Sequence, residues 1–335
     1  MSFKNLNLSQ FWQQKSIFNY LLLPLSGLWW VSSQFRKFKP YYESKLFVIC
    51  LGNLNLGGSG KTPTAILLSK NLQEYVNQRG LKIAFLSKGY GGSLETAWVS
   101  PKHSPKEVGD EPILLSQYLP TLIHKNMVAG LKILEEEGFN IVITDDGFQN
   151  PTFKKDFNMV VVNGDYGFGN SLIFPSGPLR ESVNSGLSRA NIVLLLESQN
   201  SYIQELANKY QLEVIHGEYI PEANIIKKED DFLAFCGIGM PFKFKKTLEK
   251  NNIKVLDFVS FSDHHNYTNT EIEDLINKAE EQNLKLITTQ KDYVKIPLQY
   301  VEKILSFNIE LQLPNSEILL NKIISCYEKK EKKIV

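Results

Sequence analysis

From residue 45 the chain alternates between short apolar, β-branched runs and longer stretches whose apolar positions recur at helical spacing. The runs KLFVICLGN, LKIAFLSKG, NIVITDD, NMVVVNGD and NIVLLLE have strand length, and each closes near Gly, Asp or Asn. Their apolar character is continuous, not alternating, as expected of strands covered on both faces. TPTAILLSKNLQEYVNQ and NMVAGLKILEEEG, which lie between them, predict helices. The pattern predicts an α/β fold with a mostly parallel sheet, whose binding crevice lies beyond the carboxyl ends of the strands.

A second series starts near residue 231 with DFLAFCGIGMP, KVLDFVSFSDHH and LKLITTQKDY, separated by the helical candidates PFKFKKTLEKN and TEIEDLINKAEEQ. Residues 198–230 are more polar and mark the expected junction. The reading is an N-terminal segment 1–40, a phosphate-loop domain 41–215 and a smaller α/β domain 216–335. No repeat of 20 to 50 residues is present, and the basic run KKEKK near the end reads as a solvated tail.

Residues 18–31, FNYLLLPLSGLWWV, are almost uncharged and precede QFRKFK with Arg36, Lys37 and Lys39. The run falls short of the roughly 20 residues that span a bilayer, and Pro24 and Gly27 interrupt it. No small-residue cleavage site follows, so a secretory signal fits poorly. A buried core helix is the bland alternative. Trp29 and Trp30 beside a basic cluster instead favour a membrane-associated helix at headgroup level, its cations toward anionic lipid. About eight large apolar side chains at roughly 1.5 kcal/mol each set an upper bound near 12 kcal/mol, ample for peripheral attachment.

Composition narrows the classes. With 335 residues, 43% hydrophobic and 22% charged, the chain can bury two ordinary cores. A formal charge of +1 gives no general field for nucleic acid, so no DNA or RNA partner is expected. Cys50, Cys236 and Cys326 are far apart and form no CxxC pair, which argues against a disulfide framework or a zinc site and fits a reducing cytosolic setting. Nothing in the sequence calls for an obligate protein partner.

The candidate chemistry begins at GNLNLGGSGKT, residues 52–62. Gly60, Lys61 and Thr62 complete the pattern G-x-x-x-x-G-K-[ST], while Asn55 stands where its first glycine belongs. Asn55, Leu56, Gly57, Gly58, Ser59, Gly60, Lys61 and Thr62 would form the cradle for ATP, with backbone N–H groups and a helix dipole on the phosphates. Lys61 would reach the β- and γ-phosphates and the Thr62 hydroxyl a magnesium ion, Mg2+. A turn that merely joins strand to helix is the alternative. An acid is also needed to hold the metal, and NIVITDDGFQ offers Asp145 and Asp146 at a strand end, where a bound cation would offset their repulsion. Capping of a helix by Asp146 is the bland reading. Partition-type ATPases would carry lysine at Leu56, and a GTPase would want lysine at Gln290 of TQKD, so both classes weaken.

GNLNLGGSGKTP, LSKGYGG, VGDEP, DDGFQ, GFGNSLIFPSGPLRES, AFCGIGMP, FSDHHNYT and TTQKDYVK occur in this order. The set closely resembles the tetraacyldisaccharide 4'-kinase family, enzymes of lipid A biosynthesis at the cytosolic face of the Gram-negative inner membrane. The resemblance runs from the apolar N-terminus to about residue 297. It implies transfer of the ATP γ-phosphoryl group to the 4'-hydroxyl of a tetraacylated glucosamine disaccharide 1-phosphate, by two α/β domains with catalysis in the cleft between them.

A sugar hydroxyl is a poor nucleophile at neutral pH, so a carboxylate that takes its proton assists phosphoryl transfer. Asp110 in VGDEP is the candidate base, with a helix N-cap as its alternative fate. His264 of SDHH, by the resemblance, would hydrogen-bond Asp110 and tune it. A histidine pair also suits zinc, but no Cys or third His stands nearby, and His265 reads as packing or solvent-bound. Arg180 in a Gly- and Pro-rich loop could clamp phosphate oxygens, and Glu181 could complete the magnesium shell; a surface ion pair is the alternative for both. Lys88 stands where the family resemblance leads one to expect arginine, which keeps the charge but loses the fork. The expectation is an ATP- and Mg2+-dependent lipid kinase attached to the membrane. The alternative is a membrane-associated NTPase switch that phosphorylates nothing.

Overall fold

Apolar residues fill both faces of Phe47–Gly52, which is stable only with cover on each side, and it forms the buried strand β1. The other strands among the described residues are β2 (Ile83–Ser87), β3 (Thr96–Trp98), β4 (Thr121–His124), β5 (Ile141–Asp145), β6 (Phe157–Asn163), β7 (Ile192–Leu196), β8 (Glu213–Pro221), β9 (Asp231–Cys236), β10 (Lys254–Ser260), β11 (Lys285–Thr289), β12 (Ile304–Phe307) and β13 (Ile309–Gln312). The computed structural model describes residues 11–35, 41–221 and 230–334. Arg36, Lys37 and Lys39 of the basic cluster lie outside the described residues.

Two compact units share the chain. Met1–Lys88, Tyr118–Glu218 and Leu311–Val335 form the first, Gly89–Gln117 and Tyr219–Glu310 the second. They interleave where the sequence suggested consecutive segments, because residues 89–117 leave the first unit after β2 and the last helix, Ser316–Ile334, returns to it. That helix buries Leu319, Ile323 and Tyr327. It carries the KKEKK run with it, in which Lys329, Lys332 and Lys333 are exposed as a solvated end would be, whereas Lys330 Nζ donates to Asp156 at 2.7 Å and to the carbonyls of Ser44 and Leu46 at 2.8 and 2.6 Å.

In the first unit the sheet order is β13-β8-β7-β6-β1-β5-β2-β4, and the pairs from β8 to β4 are parallel. Five runs expected as strands are β1, β2, β5, β6 and β7. β4, β8 and β13 lie outside those runs. The polar stretch 198–230 contains the helix Ser201–Lys209 and β8, whose inward positions alternate with exposed ones. From β1 the chain passes through the helix Lys61–Gln78 toward β2, whereas from β6 it moves the other way to β7. The loops after β1, β5 and β6 therefore meet at a topological switch point, where such sheets bind ligands.

The second unit holds an all-parallel sheet ordered β10-β9-β11-β12. Alternation along β9 splits its side chains between two cores. Leu233 and Phe235 pack with Ile272, Leu275 and Ile276 of the helix Asn269–Glu281, and Phe232, Ala234 and Cys236 with Phe244 and Leu248 of the helix Pro241–Lys250. Here the direction of winding reverses between β9 and β11.

The N-terminal helices Ile17–Leu21 and Leu23–Phe35 are inverted relative to an ordinary surface helix. Two polar side chains face the protein: Asn19, fully buried, donates to the Ser176 carbonyl at 2.9 Å, and Ser26 bonds the Ile173 carbonyl and Ser176 Oγ at 2.8 Å each. Ile17, Phe18, Leu21, Leu25, Leu28 and Trp30 are exposed. Trp29, expected at headgroup level, instead turns inward, its ring edge-on to Phe174 at 5.1 Å and its Nε1–H on the Arg180 carbonyl at 3.4 Å. Among the described residues no helix is long and apolar enough to cross a membrane.

Candidate active site

The loop after β1 is shaped by its glycines. Gly57 and Gly60 have φ of 108° and 95°, in the left-handed region, and Gly60 caps the helix that Lys61 begins. Asn55 explains its departure from glycine: its Nδ2 donates to the Gly167 carbonyl at 2.8 Å. The backbone continues this attachment, from Leu56 N to the Pro178 carbonyl and from Arg180 N to the Leu54 carbonyl, 2.7 Å each. The loop is thus laced to the segment that delivers Arg180 and Glu181.

Two cations flank one carboxylate. Arg180 Nη1 lies 2.7 and 2.9 Å from the oxygens of Asp146, and Lys61 Nζ lies 3.6 Å from Oδ1. No helix starts at Asp146; it sits in a turn with φ 55°, a conformation that a side chain holds only when its surroundings enforce it. Asp145 is buried at the end of β5, and Thr62 is buried in the first turn of its helix. Ser59 Oγ and Arg180 Nε are buried donors with no hydrogen-bond partner, the condition a phosphate oxygen would relieve. Leu56 contributes its backbone N–H, and Gly58 leaves open space where a Cβ would stand.

Glu181 is engaged elsewhere, in a fork with Arg189 at 2.8 and 2.9 Å. Gln149 donates to it at 3.2 Å and to the Asn53 carbonyl at 2.9 Å, while Asn53 Oδ1 accepts from Lys61 at 3.2 Å. Asn53, Gln149 and Arg189 were missed as site residues. DDGFQ carried a signal for Gln149, but a neutral amide announces no chemistry until its partners are known. Among the described residues no group of three or more His, Cys, Asp or Glu could hold a metal ion.

In the second unit Asp110 opens the helix Asp110–Ser116 behind Gly109, which takes the cap position foreseen for the aspartate. Its Oδ2 lies 3.1 Å from His264 Nδ1 and its Oδ1 accepts from Glu111 N at 3.0 Å. Burial pushes the carboxyl up, but the His264 hydrogen bond and the nearby Lys291, His264 and Lys295 charges outweigh it and hold Asp110 at about 2. His264 is raised above 6.5 by its bond to Asp110, against the opposing effect of burial. Tyr90 of the KGYGG run meets the imidazole edge-on at 5.7 Å. His265 is spoken for by Glu271, 3.1 Å to either oxygen, and stacks on Phe261.

Three comparisons bear on this geometry. A family model described as LpxK: Tetraacyldisaccharide-1-P 4'-kinase matches residues 18–326. The tetraacyldisaccharide 4'-kinase of Rickettsia akari is 35% identical over 323 residues, covering 94% of this chain and 95% of its own length. That of Rickettsia canadensis is 36% identical over 324 residues, with 94% and 95% covered. A crystal structure titled as the "apo" form of LpxK from Aquifex aeolicus in complex with ATP matches with a TM-score of 0.71 at 25% identity, covering 93% of this chain and 100% of that one.

Proposed function

Because the chain belongs to the tetraacyldisaccharide 4'-kinase family, we infer that it transfers the γ-phosphoryl group of ATP to the 4'-hydroxyl of an acylated glucosamine disaccharide 1-phosphate in lipid A biosynthesis. A nucleotide switch that phosphorylates nothing is not favoured. The observation that carries the reading is the pair Lys61 and Arg180 gathered on Asp146 beside orphaned buried donors.

Incoming phosphates offer both cations a stronger anion than Asp146. Lys61 then faces the β- and γ-phosphates, and the Arg180 guanidinium neutralises charge that spreads over the transferring group. Ser59 and the backbone around Gly57 to Gly60 supply the remaining donors. The hydroxyl of Thr62 and the carboxylates Asp145 and Asp146 are hard oxygen donors that would hold Mg2+, which would offset the charge of the phosphates. Glu181, forked to Arg189, is a weaker choice of ligand and serves instead to hold Gln149.

Asp110 takes the proton of the 4'-hydroxyl as the oxygen–phosphorus bond forms. A carboxylate held at about 2 is by itself a poor proton acceptor. That low value holds while His264 donates to the carboxylate; in the neutral tautomer whose Nδ1 is an acceptor, Asp110, once protonated, donates across the 3.1 Å contact and passes the proton on, leaving the carboxylate–imidazolium pair that their opposite pKa shifts favour. The exposed apolar face of the N-terminal helices sits at the surface of the inner membrane, where a lipid substrate resides. An open groove of about 600 Å3 lined by Leu23, Gly27, Trp30, Ile173, Val183 and Tyr202 offers an acyl chain a mostly apolar surface.

ADP release measured with and without a lipid A disaccharide precursor tests the reading. Release is expected only with the lipid; equal ATP hydrolysis in its absence would overturn it.

A further inference from the structure

TTQKDYVK remains unused by this mechanism, yet it holds the most buried ion pair of the second unit. Asp292 is fully buried and lies 2.7 Å from Lys295 Nζ, itself nearly buried. Its Oδ2 also accepts from Thr289 Oγ1 at 2.7 Å and from the backbone N–H of Gly237 at 3.0 Å. Gly237 follows β9 and Asp292 follows β11, so the bond closes the switch point of the small sheet. The carbonyl of that same Gly237 accepts from His264 N at 3.0 Å. A methyl group at Gly237 would meet His265 Cβ at 2.9 Å and the Ser262 carbonyl at 3.1 Å, so the SDHH loop lies directly on this backbone. His264 has φ 56° there, a conformation that costs energy and persists where neighbours fix it. One residue before Asp292, Lys291 forms an ion pair with Glu111, next to Asp110.

We propose that the turn Gln290–Tyr293 positions the Asp110–His264 pair, Asp292 by fixing the His264 backbone through Gly237 and Lys291 by tethering the helix that carries Asp110. The proposal rests on the reading of that pair as the proton acceptor. Neither residue need touch substrate. Their effect is on the 3.1 Å contact, and reacting groups displaced by about 1 Å can lose roughly 10²-fold in rate.

The test uses the full chain and keeps the buried charges balanced. Asp292→Leu with Lys295→Met removes the acceptor for Gly237; Asp292→Asn with Lys295→Met keeps an oxygen there. The first pair is expected to lower kcat by about 10- to 100-fold at unchanged KM for ATP, and the second to recover most of it. The chain has 5 histidines, so the His264 ring resonances can be assigned by NMR; they should move in the leucine variant and stay in the asparagine variant. Unimpaired turnover in the folded leucine variant, or equal loss in both, overturns the proposal. Should the leucine variant lose its cooperative melt, Glu111→Met, which breaks the tether and keeps the Lys291 charge, decides: a several-fold drop in kcat supports the tether, and wild-type kcat removes it. Asp110→Asn separates the two levels. Full activity in that variant removes the proton-acceptor reading itself, whereas impaired Asp110→Asn beside an intact leucine variant removes only the positioning role.

Discussion

Residues at this site act in pairs whose members shift one another, and the consequences are measurable. Asp110→Asn is expected to lower turnover by about 10² to 10⁴ with ATP affinity nearly unchanged, since general-base assistance is worth that much. Steady-state kinetics with a tenfold loss of ATP affinity as well would reassign Asp110 to nucleotide or metal binding. The proton-accepting form of His264 is the neutral one, and its pKa is raised above 6.5. Asp110 and Asp263 raise it, Lys291 opposes them, and Tyr90 is the ring against it. Turnover should therefore rise with pH and level off only above 6.5, and a plateau already reached at pH 6 would contradict the pairing. Stability follows the same signs. Asp110, lowered from 3.8 to about 2, contributes fully above 3.8 and loses its contribution as pH falls through 2. His264 contributes fully below 6.5 and loses its share as pH rises through its raised folded value.

Elements carry the site through their ends. The loop after β1 is held to the 167–180 segment by Asn55, Leu56 and Leu54, so Asn55 does structural duty in place of a glycine's freedom. Asn55→Ala should cost about 1 kcal/mol of stability from the lost hydrogen bond and raise KM for ATP, with thermal melts and kinetics as readouts; an unchanged melt and KM would make Asn55 incidental. The N-terminal helices are likewise understood through their contacts. Asn19 and Ser26 look misplaced in an apolar run until Ser176 and Ile173 are seen as their partners. The sequence reading placed Trp29 at a lipid surface because composition cannot say which side of a helix faces the protein.

At the scale of the whole molecule, two units are threaded by one chain, and the first presents an apolar face that water does not favour. Leu25→Gln with Leu28→Gln should weaken binding to anionic phospholipid vesicles by about 100-fold, given roughly 1.5 kcal/mol per large apolar side chain. Co-sedimentation measures it. Undiminished binding would move the contact to another surface.

How much was legible follows from what each feature needs. Continuous apolar runs ending in Gly or Asp announce a parallel sheet locally, so the strands bearing the phosphate loop, Asp145 and Asp146 could be read directly, as could Lys61, Thr62 and the family resemblance. Strands β4 and β8 were invisible because one is four residues long and the other alternates like an exposed edge. Asn53, Gln149 and Arg189 carry no distinctive chemistry alone; their roles arise from contacts across 32 to 96 positions of chain for Gln149 and 8 for Arg189. The sequence by itself determined the α/β fold class and the family, since both rest on local pattern and on motifs read in order along the chain. Only the tertiary structure decided that Asp146 lies between two cations, that Lys330 of the basic run is held by Asp156 and that Asp292 accepts from Gly237, whose carbonyl takes the His264 N–H, because distance in space is not a property of spacing along the chain.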